Sequence, residues 1–270
     1  MIQWFLRGVS HRRLSTRYPR VPEAPPASHR ARALLDGEAV QPASAAASAA
    51  VCLPGALRFE QPGRLRLDAS LCIACGLCVD ACQDGSLAID PGYELASTSR
   101  ARLIVGDPPG LIVAPTRALG GPFRRSLHIR HVDTGSDGAV EQEIAALLSP
   151  YYDMQRLGLF FTASPRHADV LLVTGPVTRP MEQPLRRTYD AMPEPRVVIA
   201  AGTDACSGGI WTEPEVLGGV DRVLRVDVYV PGDPPSPIAL LHGLLLAAGR
   251  VQEASPPLRQ RPSAAAGSVR

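Results

Sequence analysis

The chain has 270 residues, 45% of them hydrophobic, which is enough for one large domain or two ordinary ones and excludes disorder throughout. All 28 basic residues are arginine, so a Walker-type phosphate lysine and a Schiff-base lysine are impossible, and the formal charge of +2 is too small for a nucleic-acid footprint. The longest nearly apolar run, residues 238–249, is interrupted by His242 and falls well short of the roughly 18 residues needed to cross a bilayer, so no membrane span is expected.

Residues 1–20 read as a basic amphipathic segment. Residues 1–6 are apolar and aromatic, Arg7, Arg12, Arg13, Arg17 and Arg20 follow, and Glu23 is the single acid before Arg32. The pattern suits a short helix lying on a membrane or docking on an apolar partner, and equally a basic terminus without structure. No apolar run or small-residue cleavage site follows the Arg12-Arg13 pair, so export is not expected and the chain reads as cytoplasmic. Residues 21–50 are rich in Pro, Ala and Ser without an apolar period, a linker or an eroded domain. Residues 51–96 are compact and cysteine-rich, and residues 97–125 return to Gly, Pro and Arg, a second linker.

From residue 126 onward, apolar β-branched runs alternate with helical patterns. Strands are expected over 127–132, 159–162, 169–174, 196–200 and 223–228, with helices over 139–148, 179–191 and 236–250. Such alternation predicts an α/β domain over 126–251 with a doubly wound parallel sheet, whose ligand site lies beyond the carboxyl ends of the strands. Residues 252–270 are polar and Pro-rich, a disordered tail.

Five of the six cysteines fall in the first compact unit, and Cys72, Cys75, Cys78 and Cys82 form C-x2-C-x2-C-x3-C. Three thiolates at that spacing wrap one corner of an iron–sulfur cubane, with Gly76 permitting the tight backbone. Zinc is the competing metal, but its sites usually pair two C-x2-C units across a longer loop, which is missing here. Disulfides fit poorly with a chain that is not exported.

Residues 8–96, including the run Ser15-Thr-Arg-Tyr-Pro19, resemble the two-cluster ferredoxin domain of the polyferredoxin subunits of formate hydrogenlyase and respiratory complex I. The resemblance implies a small α+β ferredoxin-like domain and makes residues 21–50 an eroded first repeat. At the family spacing, Pro42, Ala45 and Ser48 stand where three cysteines belong before Cys52. In such domains the fourth cysteine of each run ligates the other run's cluster. One [4Fe-4S] cluster is therefore expected on Cys72, Cys75, Cys78 and the distant Cys52, with Cys82 orphaned. The local alternative takes Cys82 as fourth ligand and frees Cys52, and Gln83 in place of the usual proline after Cys82 leaves it open.

A second resemblance covers residues 127–251. It rests on Pro165-Arg-His-Ala-Asp-Val-Leu-Leu-Val-Thr-Gly-Pro-Val-Thr-Arg179, on residues 184–196, and on Val226-Asp-Val-Tyr-Val-Pro-Gly232 with Pro234-Pro235. These resemble the small subunit of energy-converting [NiFe] hydrogenases and the B subunit of NADH:quinone oxidoreductase, which implies a flavodoxin-like fold. The family binds a [4Fe-4S] cluster on four cysteines, and here Asp137, Val140, Asp204 and Asp233 stand at those positions. Cys206 lies two residues past the third. Carboxylates are hard oxygen ligands and poor substitutes for thiolate, so the family's small-subunit cluster is expected to be absent. Asp137, Asp204 and Asp233 could instead hold Mg²⁺ or Ca²⁺, or serve as turn formers and helix caps in solvated loops. His128, His131, His167 and His242 are scattered, and Arg186 and Arg187 read as hydrated.

Together the resemblances imply an electron-transfer and scaffold subunit, not a complete enzyme by itself. They place it in a membrane-associated oxidoreductase complex related to energy-converting hydrogenase, formate hydrogenlyase and complex I. They imply as partners a hydrogenase large-subunit-like or complex I quinone-site chain and, through the complex, antiporter-like membrane subunits, on the inner face of the cytoplasmic membrane. A redox-inactive structural role and a quinone-reducing role like that of the oxidoreductase's B subunit are the alternatives.

Overall fold

The structure, a computed structural model, describes residues 8–10, 14–26, 28–35, 41–60, 64–106 and 121–253. The expected disordered tail from residue 254, half of the basic N-terminal segment including Arg7, Arg12 and Arg13, and residues 107–120 of the second linker lie outside them.

The first unit is built twice on one plan. Its strands are β1 (Arg32–Leu35), β2 (Leu57–Glu60), β3 (Arg64–Asp68) and β4 (Leu87–Asp90), with helix α1 (Pro42–Ala50) between β1 and β2 and helix α2 (Leu77–Asp80) between β3 and β4. β2 and β4 begin at 57 and 87, the same 30-residue offset that separates Cys52 from Cys82. β1 pairs antiparallel with β4 and β2 with β3, the cross-pairing of a twofold ferredoxin-like unit. Of residues 21–50, Arg32–Leu35 and Pro42–Ala50 thus take part in this unit as β1 and α1. Proline opens α1 where its missing N–H costs nothing, and Ser44, Ala45 and Ser48 form the buried stripe of this short Ala-rich helix.

Residues 97–106, expected as the start of a linker, are built into both units instead. The Ser97 and Tyr229 backbones exchange hydrogen bonds of 2.9 and 2.8 Å, and β5 (Ile104–Val105) pairs antiparallel with β3. Leu103 is 3% exposed, and burying it requires the strand neighbours a free linker would lack.

The second unit carries β6 (Leu127–Asp133), β7 (Leu159–Phe161), β8 (Val170–Thr174), the short β9 (Val177–Thr178), β10 (Val197–Ala201), β11 (Val216–Gly218) and β12 (Val228–Val230). A five-stranded sheet runs β12-β10-β8-β6-β7, parallel throughout, and β9 pairs antiparallel with β11 apart from it. Counted along the sheet, the order is 2-1-3-4-5, flavodoxin-like, with the switch point between β6 and β8. Every residue of β8 and β10 is buried because helices cover both faces. α3 (Ala139–Ala146) and the wholly buried α6 (Pro237–Ala247) pack with Leu172 and Ile199 on one face. α4 (Arg179–Asp190) and α5 (Thr203–Ser207) pack with Leu171 and Val198 on the other.

The last strand differs from its expectation over 223–228. Val223, Leu224 and Val226 bury their side chains in the α4 and α5 layer, after a 3₁₀ turn at Val220–Arg222, and ladder pairing begins later. Asp227 fastens the junction: its amide donates to the Val198 carbonyl at 2.9 Å and its carboxylate accepts from the Val198 amide at 3.0 Å.

Candidate iron–sulfur site

β3 delivers the chain to Cys72, and the loop that follows turns back into α2. Ala74 (φ 53°) and Gly76 (φ 85°) both sit in the left-handed region, so the loop curls sharply enough to bring Cys72, Cys75 and Cys78 onto one pocket. A Cβ at Gly76 would stand 2.8 Å from the Arg30 guanidinium, which donates to the Cys75 carbonyl at 3.3 Å. Cys72 and Cys78 are each 8% exposed, and Cys75 is open to solvent.

Cys52 comes from the other repeat. It lines one pocket together with Cys72, Cys75 and Cys78, closed by Ala33, Leu57 and Leu67. Backbone amides address two of the sulfurs: Ala33 N–H lies 3.4 Å from Cys72 Sγ and Leu57 N–H 3.2 Å from Cys52 Sγ. Burial, followed by the neighbouring thiols, pushes Cys78 up to about 11, and burial raises Cys72 as well. Such thiols stay protonated unless a cation takes the proton's place, so this pocket suits a metal-bound state. The donors are four soft thiols without a carboxylate, the set that iron–sulfur chemistry requires. Among the described residues no three His, Cys, Asp or Glu side chains converge on a single ion. A cubane needs no such convergence, because each thiolate binds a different iron.

Cys82 faces elsewhere. Its sulfur lies 3.5 Å from the Ser44 hydroxyl, 3.4 Å from that of Ser86 and 3.1 Å from Asp84 Oδ1. Hydrogen bonds from Ser86, Cys82 and the Gln41 amide hold the Asp84 carboxyl well below the usual carboxylate range. Ala45 and Ser48, at two of the three positions that lack cysteine, are fully buried in the core of this unit or beside it.

The two units meet at the cysteine loop. Thr203 Oγ1 donates to the Cys72 carbonyl at 3.3 Å, Ser207 Oγ donates to the Ser70 carbonyl at 2.8 Å, and Arg100 pairs with Asp221 at 3.1 Å. Neither the Thr203 contact nor the Arg30 contact had a signal in the sequence, since each joins residues far apart in the chain.

Asp137, Asp204 and Asp233 follow β6, β10 and β12, at the carboxyl edge of the sheet, and lie within electrostatic reach of one another. Burial, then the charges of Asp233 and Asp137, lifts Asp204 to about 6, against a 2.9 Å hydrogen bond from the Trp211 indole. Asp233 is raised by burial and by Asp137. Asp137 accepts from the Ala139 amide at 2.9 Å, an Asx turn ahead of α3. Val140 packs against Gly202, where an added Cβ would come within 2.9 Å of it. Nearby, His131 Nε2 is 2.9 Å from Thr174 Oγ1, whose hydroxyl also bonds Glu141. Cys206 is fully buried behind this edge, with its thiol toward the Ala200 carbonyl and its pKa raised by burial. His128 stacks on Phe160, and His242 is buried in α6.

The NADH ubiquinone oxidoreductase 20 kDa subunit family matches residues 138–247, and the 4Fe-4S binding domain matches residues 65–87. Formate hydrogenlyase subunit 7 of Escherichia coli is 44% identical over 132 residues, which are 48% of this chain and 52% of that one. A probable membrane-bound hydrogenase subunit, mbhJ, of Pyrococcus furiosus is 45% identical over 124 residues, 46% of this chain and 74% of that one. The NADH-quinone oxidoreductase B subunit of Desulfovibrio desulfuricans is 49% identical over 111 residues, 41% of this chain and 58% of that one.

Proposed function

The chain belongs, through its carboxy-terminal half, to the NADH ubiquinone oxidoreductase 20 kDa subunit family, and from that premise we propose that it is a one-cluster electron-transfer and scaffold subunit of a membrane-associated oxidoreductase complex. Cys52, Cys72, Cys75 and Cys78 hold a single [4Fe-4S] cluster, and Cys82 is a retained structural thiol. The observation that carries this reading is the single pocket lined by those four sulfurs, with Cys82 turned toward Ser44, Asp84 and Ser86. The cluster supplies one-electron storage there. The Ala33 and Leu57 amides orient and stabilise the sulfurs, and exposed Cys75 marks the side from which a redox partner approaches.

The carboxy-terminal unit carries no cluster of its own in this reading. Asp137, Val140, Asp204 and Asp233 line the edge where its relatives' cysteines are expected, and Cys206, the one cysteine there, is sealed in the core. What remains is a docking scaffold for a large-subunit-like chain, with antiporter-like membrane subunits joined through the complex, on the inner face of the cytoplasmic membrane. A redox-silent variant of this reading, in which the cluster only holds the fold, is favoured by the same missing thiols.

Iron and acid-labile sulfide analysis of the purified chain and of Cys52→Ala tests the proposal. About four iron atoms per chain, lost in Cys52→Ala, is the expected result. About eight iron atoms, none, or iron unaffected by Cys52→Ala overturns it. Redox titration of the intact complex then separates electron carrier from scaffold: a cluster that never changes oxidation state with physiological donors selects the scaffold.

A further inference from the structure

Where the N-terminal segment crosses the α/β unit it leaves an open cleft of about 590 Å³ that the function above does not use. Arg17, Tyr18 and Arg20 come from that segment, Arg156 and Leu157 from the turn ahead of β7, and Arg250 from the chain just past α6. Four arginines from three separate parts of the chain therefore line one space, and among the described residues no Asp or Glu lines it with them.

Neutral groups hold two of the four. Arg156 donates to the carbonyls of Thr16 at 2.6 Å and Tyr18 at 3.4 Å, and Arg250 donates to the Leu157 carbonyl. Among the described residues none of the four forms an ion pair with a carboxylate. Two acids of adjoining segments accept from tyrosine hydroxyls, Glu94 from Tyr18 at 3.0 Å and Glu23 from Tyr151 at 2.9 Å. Burial first, then the charges of Arg124 and Arg156, presses the Arg250 pKa down.

We propose that this cleft binds a phosphate group, the chemistry shared by an anionic phospholipid headgroup and by free inorganic phosphate. Guanidinium forks match phosphate oxygens two at a time, and an anion here relieves the mutual repulsion of the four arginines. The site is independent of the cluster assignment.

Two arms separate the sources. The full-length, cluster-loaded chain is cosedimented with phosphatidylcholine vesicles with and without phosphatidylglycerol, and is titrated calorimetrically with inorganic phosphate. Binding to the phosphatidylglycerol vesicles alone identifies a headgroup, and binding of inorganic phosphate identifies a soluble ligand. In the arm that binds, Arg17→Gln with Arg20→Gln, both exposed and outside the core, weakens binding by about fivefold per arginine removed. Arg187→Gln with Arg222→Gln, an equal change in charge at exposed positions outside the cleft, leaves it unchanged. No binding in either arm, as expected for a cleft that instead receives an acidic protein partner, or an equal loss in both double variants, overturns the proposal.

Discussion

Ser44 and Cys82 meet across the 30-residue repeat: the Ser44 hydroxyl lies 3.5 Å from the Cys82 sulfur and accepts from the Gln83 amide at 3.0 Å. Helix α1 thus supplies a polar lining to the Cys82 thiol through Ser44. The result is a cysteine held by ordinary hydrogen bonds, in contrast to Cys52 on the shared pocket.

Cys82→Ala is therefore expected to keep its iron, about four atoms per chain, while lowering stability by about 1 kcal/mol through the lost contacts to Ser44, Asp84 and Ser86. Metal analysis and urea unfolding of the same preparation check both halves. Loss of iron in this variant would make Cys82 the fourth ligand.

Ser48 is 0% exposed, and its hydroxyl has no hydrogen-bond partner among the described residues. A buried hydroxyl left unpaired carries its desolvation penalty, and serine is a weaker helix former than alanine. Ser48→Ala should raise stability by about 1 kcal/mol, read as a higher urea midpoint at unchanged m. A lower midpoint would show that the hydroxyl is satisfied.

Arg30 places a fixed positive charge on the cysteine loop, 3.3 Å from the Cys75 carbonyl. Such a charge favours the reduced, more negative state of a bound cluster. Arg30→Gln is expected to shift the midpoint potential negative by on the order of tens of millivolts, measured by redox titration followed by electron paramagnetic resonance. An unchanged or more positive potential would remove Arg30 from this role.

Asp204 is raised from 3.8 to about 6 by burial first, then by Asp233 and Asp137. Between those two values the folded chain binds more protons than the unfolded chain, so stability is greatest at the acid end and falls as pH rises. Asp204→Asn keeps an acceptor for Trp211 and removes the charge. It should flatten that slope and stabilise the chain at pH 7 by about 1 kcal/mol, the shift being discounted because the group is partly solvated. Denaturant unfolding from pH 4 to pH 7 provides the test, and an unchanged slope in the variant would exclude Asp204 as its source.

The amino-acid sequence alone determined the soft donor set, because C-x2-C-x2-C-x3-C is a covalent spacing that any fold must respect, and the strand–helix alternation from Leu127 to Ala201, because buried parallel strands read as continuous apolar runs. It also determined the absence of lysine chemistry and the oxygen and hydrocarbon side chains at the carboxyl edge of the sheet. Tertiary structure decided the rest. Apolar character could not tell Val223 and Leu224, which pack beneath the sheet, from Val228 and Val230, which extend it. Which of Cys52 and Cys82 faces the shared pocket, the Arg30 contact, and the meeting of Arg17, Arg20, Arg156 and Arg250 in one cleft each join residues distant in the chain. Local pattern carries no record of such contacts, since only tertiary packing, within the first unit for the cysteines and Arg30 and between segments for the arginines, brings those groups together.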